Sequence, residues 1–302
     1  SDELRILGSE FSRKLSGTAQ ARSQEKHAYD LATDQFSQAV GLYYGHKYFG
    51  ESAKADVKRM TTEMISVYQE RLRQNDWLSR ETIDKAIQKL DAMTVFIGYP
   101  DKLPEIYEKF TVTHDSIYSH VARFNVLRTH RHYEKFTEPV DKTEWHMPAH
   151  MVNAYFSPDS NTIVFPAAIL QKPFYSEHDQ TPSQNYGGIG AVIAHEISHA
   201  FDNNGARFDE FGNMNNWWLD EDFKAFEAKQ ALMIAEFDGL ELAGAKVNGQ
   251  LVVSENIADA GGLTAAMTAA LREPDADLKA FFIQWGEIWR IKASQEYQQM
   301  LL

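Results

Sequence analysis

The sequence predicts a mainly α-helical protein with a small β-sheet, and three patterns carry that expectation. Apolar residues recur at helical spacing through much of the first 95 positions. Two short apolar runs flank a turn near position 160, and several amphipathic stretches follow.

The elements follow in chain order. In KADVKRMTTEMISVYQERLRQND, Val57, Met60, Met64, Ile65, Val67 and Tyr68 fall close to a 3.6-residue period, so a helix with one buried face is expected. SRETIDKAIQKLDAMTVF opens with Ser79 ahead of a first turn bearing Glu81, a helix-start signal, and residues 1 to about 95 read as helical throughout. Glycine and two prolines in GYPDKLP, residues 98–104, break the pattern, and residues 115–135 resume it. The polar stretch KFTEPVDKTEW, residues 135–145, contains Pro139 and marks a boundary between a helical region, 1–140, and a second domain, 141–302. Beyond it, Met151–Phe156 and Thr162–Phe165 enclose Ser-Pro-Asp-Ser-Asn and read as a strand pair. Helices are expected at 187–202, 220–240, 251–273 and 278–297.

Composition narrows the function. The 302 residues carry 43 acids against 30 bases, a formal charge of −13, which argues against nucleic acid or an anionic membrane as the main partner. No apolar run approaches the roughly 20 residues that span a bilayer, and the first residues lack a signal-peptide core, so the cytoplasm is the expected location. With no cysteine, a metal would be held by His, Asp or Glu.

VIAHEISHAF contains His195-Glu196-x-x-His199. Residues four apart share one face of a helix, so both imidazoles can aim a nitrogen at one ion. Glu196 lies beside that ion rather than on it, where it can take a proton from a metal-bound water. The apolar GIGAVIA before it implies a buried helix whose polar groups need partners.

Other candidates are weaker. His146 and His150 are also four apart, but Pro148 between them disfavours a continuous helix. His130 and His132 read as a solvated face, and the glycines of YGGIG, residues 186–190, as flexibility or close packing. For a third ligand, Glu255 and Asp259 stand four apart among Val252, Val253, Ile257 and Ala258. One physical account makes Glu255 the ligand and Asp259 the carboxylate that orients a zinc histidine; the other makes both a polar helix face.

VNAYFSPDSNTIVFPAAILQKPF, HEISHAFDNNGARFDEFGNMNNWW and ENIADAGGL together resemble the neprilysin-type zinc metallopeptidases, and among them the bacterial oligoendopeptidase O branch. The resemblance implies a thermolysin-like (gluzincin) catalytic domain with part of a helical capping domain. It implies one zinc ion held by His195, His199 and Glu255, Glu196 as general base and Asp259 as support for a histidine. It further implies that Asn153 and Ala154 hydrogen-bond a peptide substrate as an added strand would. Ile169, Phe174, Val192 and Trp289 would receive an apolar residue after the cut bond. The expected activity is zinc-dependent endopeptidase action on short peptides, by Glu-assisted attack of zinc-bound water on the scissile amide. Family members are about twice this length, and their later histidine and arginine have no counterpart here. A fragment is therefore expected, with the rest of its own polypeptide as a partner; the alternative is a zinc-binding but weakly active or inactive module.

Overall fold

The computed structural model describes residues 2–301. Helices dominate: α1 Asp2–Gly8, α2 Glu10–Ser16, α3 Gln24–Gln35, α4 Ser37–Tyr48, α5 Glu51–Arg73, α6 Arg80–Asp91 and α7 Ile117–Glu134 precede the first hairpin. After it come α8 Pro182–Asn185, α9 Ala191–Ser198, α10 Asp220–Phe237, α11 Gly249–Ala270, α12 Leu278–Ile288 and α13 Gln295–Met300. The strands are β1 Thr94–Gly98, β2 Tyr155–Ser157 and β3 Thr162–Pro166, with a two-residue pair β4 Glu241–Leu242 and β5 Ala245–Lys246.

Helix α5 realises its sequence pattern. Val57, Met60, Met64, Val67 and Tyr68 are buried, Ile65 half-buried, and all join one core with α9 and α11. Arg71 and Arg73 in its last turn face the negative end of the helix dipole. Ser79 caps α6, its hydroxyl accepting from the Thr82 N–H at 3.3 Å.

The expected run of helix to about 95 stops at Asp91. Thr94–Gly98 is instead a strand, pairing parallel with β3 from Thr94↔Thr162 to Gly98↔Pro166. Its apolar residues satisfy either periodicity locally, and a partner 68 residues away decides between them. Strand β2 pairs antiparallel with β3, so the order is β1-β3-β2 and β2 is an outer strand. The strand pair was expected from Met151, but residues 151–154 lie outside the ladder. Asn161 turns the hairpin at φ 52°, a left-handed conformation that asparagine tolerates.

Two expected helices are interrupted. The segment at 187–202 is a π-helical turn, Tyr186–Gly190, between α8 and α9, and α9 ends at Ser198. Its glycines serve close packing. A Cβ on Gly187 would strike the Phe281 carbonyl, and one on Gly188 that of Phe174. The helix expected over 278–297 divides at Trp289, because Ser294 caps a new helix, accepting from the Tyr297 N–H at 3.1 Å. Helix α7, the 220–240 helix and the 251–273 helix form within a few residues of their expected spans.

The main core gathers α5, α9, α11, β1, β3 and Phe281 of α12. A smaller one holds Ala206, Trp218 and Phe226. No described helix is long and apolar enough to cross a membrane.

Candidate active site and metal centre

Helices α9 and α11 touch more closely than ordinary side chains permit. A Cβ on Gly262 would lie 2.6 Å from the His195 backbone nitrogen, and one on Gly261 2.6 Å from the Ser198 hydroxyl. This glycine pair lets α11 pass directly over the histidine turn. On the third side, the Tyr68 hydroxyl of α5 donates to the Ala194 carbonyl at 2.8 Å and meets the Ser198 hydroxyl.

The close seam brings ligands from both helices together. The Nε2 atoms of His195 and His199 lie 2.9 Å apart. Glu255 Oε2 is 3.3 Å from the first and 3.7 Å from the second. Among the described residues, these three form the group of acids and histidines whose donor atoms converge for a metal ion. The donor set suits zinc: two imidazoles and a carboxylate, with nitrogens within a few tenths of an ångström of the ~3.3 Å that tetrahedral coordination at about 2.0–2.1 Å gives.

The remaining imidazole nitrogens are both taken. His195 Nδ1 pairs with Asp259 Oδ1 at 2.8 Å, and His199 Nδ1 with Asp202 Oδ2 at 2.6 Å. Each carboxylate accepts an Nδ1–H and so leaves Nε2 as the free donor toward the ion. Burial opposes a proton on His195, but its hydrogen bonds to Asp259 and Glu255 override burial and push its pKa up to about 10. The hydrogen bond to His195 holds the Glu255 carboxyl below its usual range.

Sequence reasoning missed Asp202, although it stands three residues after His199. It is 1% exposed. Besides His199 it accepts from the Asn204 and Gly205 N–H groups, each at 2.7 Å, and from the Ser254 hydroxyl at 2.5 Å. Burial alone would raise its pKa; these donors hold it below the ordinary value. The usable signal was an acid one turn beyond the second histidine, a spacing that also suits chance surface charge.

Glu196 is buried at 6% exposure beside the two imidazoles. Burial pushes its carboxyl up, against the pull of both histidines and of the Phe156 N–H of β2. A buried carboxylate with a raised pKa next to a candidate metal site has the proton affinity that proton transfer needs.

Every other residue expected at the site lines the same cavity of about 740 Å³: Asn153, Ala154, Ile169, Phe174, Val192 and Trp289. Ile169 and Val192 are buried, while Trp289, just past α12, stands 47% exposed. Asn153 Oδ1 accepts from the Ala154 N–H at 3.0 Å, next to the outer strand β2. Asn204, Gly205 and Ser254 add a polar wall that the sequence did not single out.

Among the described residues, neither of the other histidine pairs belongs to the converging donor group. His146 and His150 lie in irregular chain, and the buried His150 Nδ1 has no hydrogen-bond partner. His130 and His132 are exposed on α7, with His132 against the rings of Tyr133 and Phe136.

Known proteins share this arrangement of sequence and fold. Residues 1–100 and 153–302 each match a family model described as Peptidase family M13. The "Neutral endopeptidase" of Lactococcus lactis subsp. lactis (strain IL1403) is 67% identical over 301 residues, covering all of this chain and 48% of that protein. "Neprilysin-11" of Caenorhabditis elegans is 33% identical over 297 residues, 95% of this chain and 34% of that one. The chain thus spans about half the length of the lactococcal relatives it matches. The crystal structure of PEPO from Lactobacillus rhamnosis HN001 superposes with a TM-score of 0.95 at 42% identity, covering 100% of this chain and 48% of that one. That of the Mycobacterium tuberculosis zinc metalloprotease ZMP1 with an inhibitor gives 0.89 at 33%, covering 96% and 46%. Mainly helical with small sheets, and with the thermolysin-like fold of these neighbours, the chain belongs to the neprilysin-type peptidase family M13.

Proposed function

We propose that this chain carries the catalytic centre of a zinc-dependent endopeptidase that hydrolyses short peptides. The observation that carries the reading is the convergence of His195, His199 and Glu255 with buried Glu196 beside them. His195, His199 and Glu255 would hold one zinc ion, with Asp259 and Asp202 orienting the imidazoles. Zinc bound there supplies a Lewis acid that polarises a carbonyl and makes water acidic enough to ionise near pH 7.

The protein's own groups do the rest. Glu196, its proton affinity raised by burial, accepts a proton from the attacking water and returns it to the leaving amine. The peptide lies along Asn153–Ala154 beside outer strand β2 as an added strand. Its side chain after the cut bond enters the wall formed by Ile169, Phe174, Val192 and Trp289. Residues 141–302 carry every one of these groups and form the catalytic part; residues 1–140 form the helical part, with α5 and α6 buttressing the site.

Glu196→Gln tests the reading. It is expected to keep zinc, read by elemental analysis, and to lose about 10²–10⁴ in peptide turnover. Unchanged turnover would remove the role assigned to Glu196.

A further inference from the structure

Lys89, in the last turn of α6, is 1% exposed, yet its three hydrogen bonds go to carbonyl oxygens rather than to a carboxylate. Its ammonium donates to Ala200 at 2.8 Å, Gly205 at 2.7 Å and Phe208 at 2.6 Å. The rings of Phe156, Phe201 and Trp217 surround it, with centroids 5.7–5.9 Å from Nζ. Burying an ammonium carries a desolvation penalty, and an apolar side chain of similar volume would fill this space without it. Burial accordingly lowers the Lys89 pKa to about 8, against the attraction of Asp202, Asp209 and Glu210.

All three carbonyls belong to one stretch of nine residues that begins directly after His199. That stretch carries Asp202, and Gly205 is bonded on both sides: its carbonyl accepts from Lys89 while its N–H donates to Asp202 at 2.7 Å. A Cβ on Gly205 would strike the His199 carbonyl, so the stretch folds back hard against the end of α9. Three carbonyl acceptors converging on one nitrogen suit an ammonium, whose three N–H donors share one atom, and not a planar guanidinium, whose donors are spread over three nitrogens. The positive charge also sits where the C-terminal end of α9 is negative.

We propose that Lys89 is a positioning residue for the metal centre: by gathering the carbonyls of Ala200, Gly205 and Phe208 onto one ammonium, it fixes the loop that presents Asp202 to His199. The inference rests on the reading of His195, His199 and Glu255 as zinc ligands. It assigns to the N-terminal helical part a direct hold on the geometry of a site whose ligands all lie beyond residue 190.

The test measures zinc affinity of the full chain by chelator competition at fixed pH. Lys89→Met is expected to bind zinc about tenfold more weakly, and Asp202→Asn about 10–100-fold more weakly, the usual range for groups that orient metal ligands. The double variant should bind no more weakly than Asp202→Asn alone, because both act through one hydrogen bond to His199. Wild-type affinity in Lys89→Met, or a loss that adds fully to that of Asp202→Asn, overturns the proposal. If Lys89→Met lacks the wild-type circular dichroism, Lys89→Arg takes its place: weakened zinc binding supports the proposal and unchanged binding overturns it. His195→Ala is measured alongside. Unchanged zinc binding there would refute the ligand assignment itself, whereas its loss together with intact binding in the Lys89 variants would refute only the inference about Lys89.

Discussion

Two histidine pairs four residues apart, His195–His199 and His146–His150, meet opposite fates in this fold. The first begins in α9, and each imidazole is held from behind by a carboxylate, at 2.8 and 2.6 Å. The second straddles Pro148 in irregular chain, and His150 Nδ1 is buried without a partner. Burial lowers the His150 pKa, whereas hydrogen-bonded carboxylates raise that of His195. Spacing supplies an opportunity to share an ion. The helix makes the spacing meaningful, and the acids bonded to both rings make it a candidate site.

The comparison can be broken at its seam. Gly262→Ala places a methyl 2.6 Å from the His195 nitrogen and 2.8 Å from its Cα, both backbone atoms with no rotamer to escape into. Alanine gains up to about 1 kcal/mol of helix propensity over glycine. Overpacking typically costs about 1–3 kcal/mol, and more where backbone must move, so a net loss is expected in urea unfolding. Zinc binding should weaken with it, because Glu255 and Asp259 ride on the displaced helix. A variant as stable as wild type would mean that α9 and α11 part freely.

The acids come next. Asp202→Asn keeps the shape of the side chain but offers His199 an amide in place of a carboxylate. About 10–100-fold weaker zinc binding is expected in chelator competition. Unchanged affinity would show that ring orientation is set elsewhere.

Protons give a smaller, graded effect. With zinc removed, His195 titrates near 10 rather than near its ordinary 6.5. A raised folded-state value adds stability to the zinc-free protein that is full below about pH 6.5 and is lost as pH rises through 10. Zinc needs the neutral ring, so at pH 7 binding should expel at least one proton per ion. Its apparent affinity should rise with pH by as much as about tenfold per unit on account of His195. Calorimetry in two buffers of different ionisation enthalpy reads the proton directly, and zero protons released would contradict the assigned His195 state.

The smallest expected effect is none. His146→Ala and His150→Ala should leave zinc stoichiometry and affinity at wild-type values in the same competition assay. A loss in either would place this pair in the metal site after all.

Much of the site was legible because its information is local. The four-residue spacing of His195 and His199 and that of Glu255 and Asp259 are properties of single helices, and apolar neighbours set both pairs apart from ordinary surface charge, although Glu255 and Asp259 stand exposed. Helix α5 was equally readable, since its buried residues follow one period. Strand β1 was not, because Thr94–Gly98 fits the end of a helix as well as a strand until β3 pairs with it. The break at Trp289 was missed for a related reason: apolar residues continue past it, and a cap at Ser294 outweighs them.

By itself, then, the sequence determined which helical stretches place histidine and carboxylate four residues apart on one face, because helical periodicity needs no partner. Only the tertiary structure decided which acid serves which histidine. Asp259 reaches His195 across a seam that Gly262 opens, and Asp202 reaches His199 through a loop bonded to Lys89, 113 positions before it. Such pairings depend on ångström-scale contacts between segments far apart in the chain, and no local pattern encodes the distance between two helices.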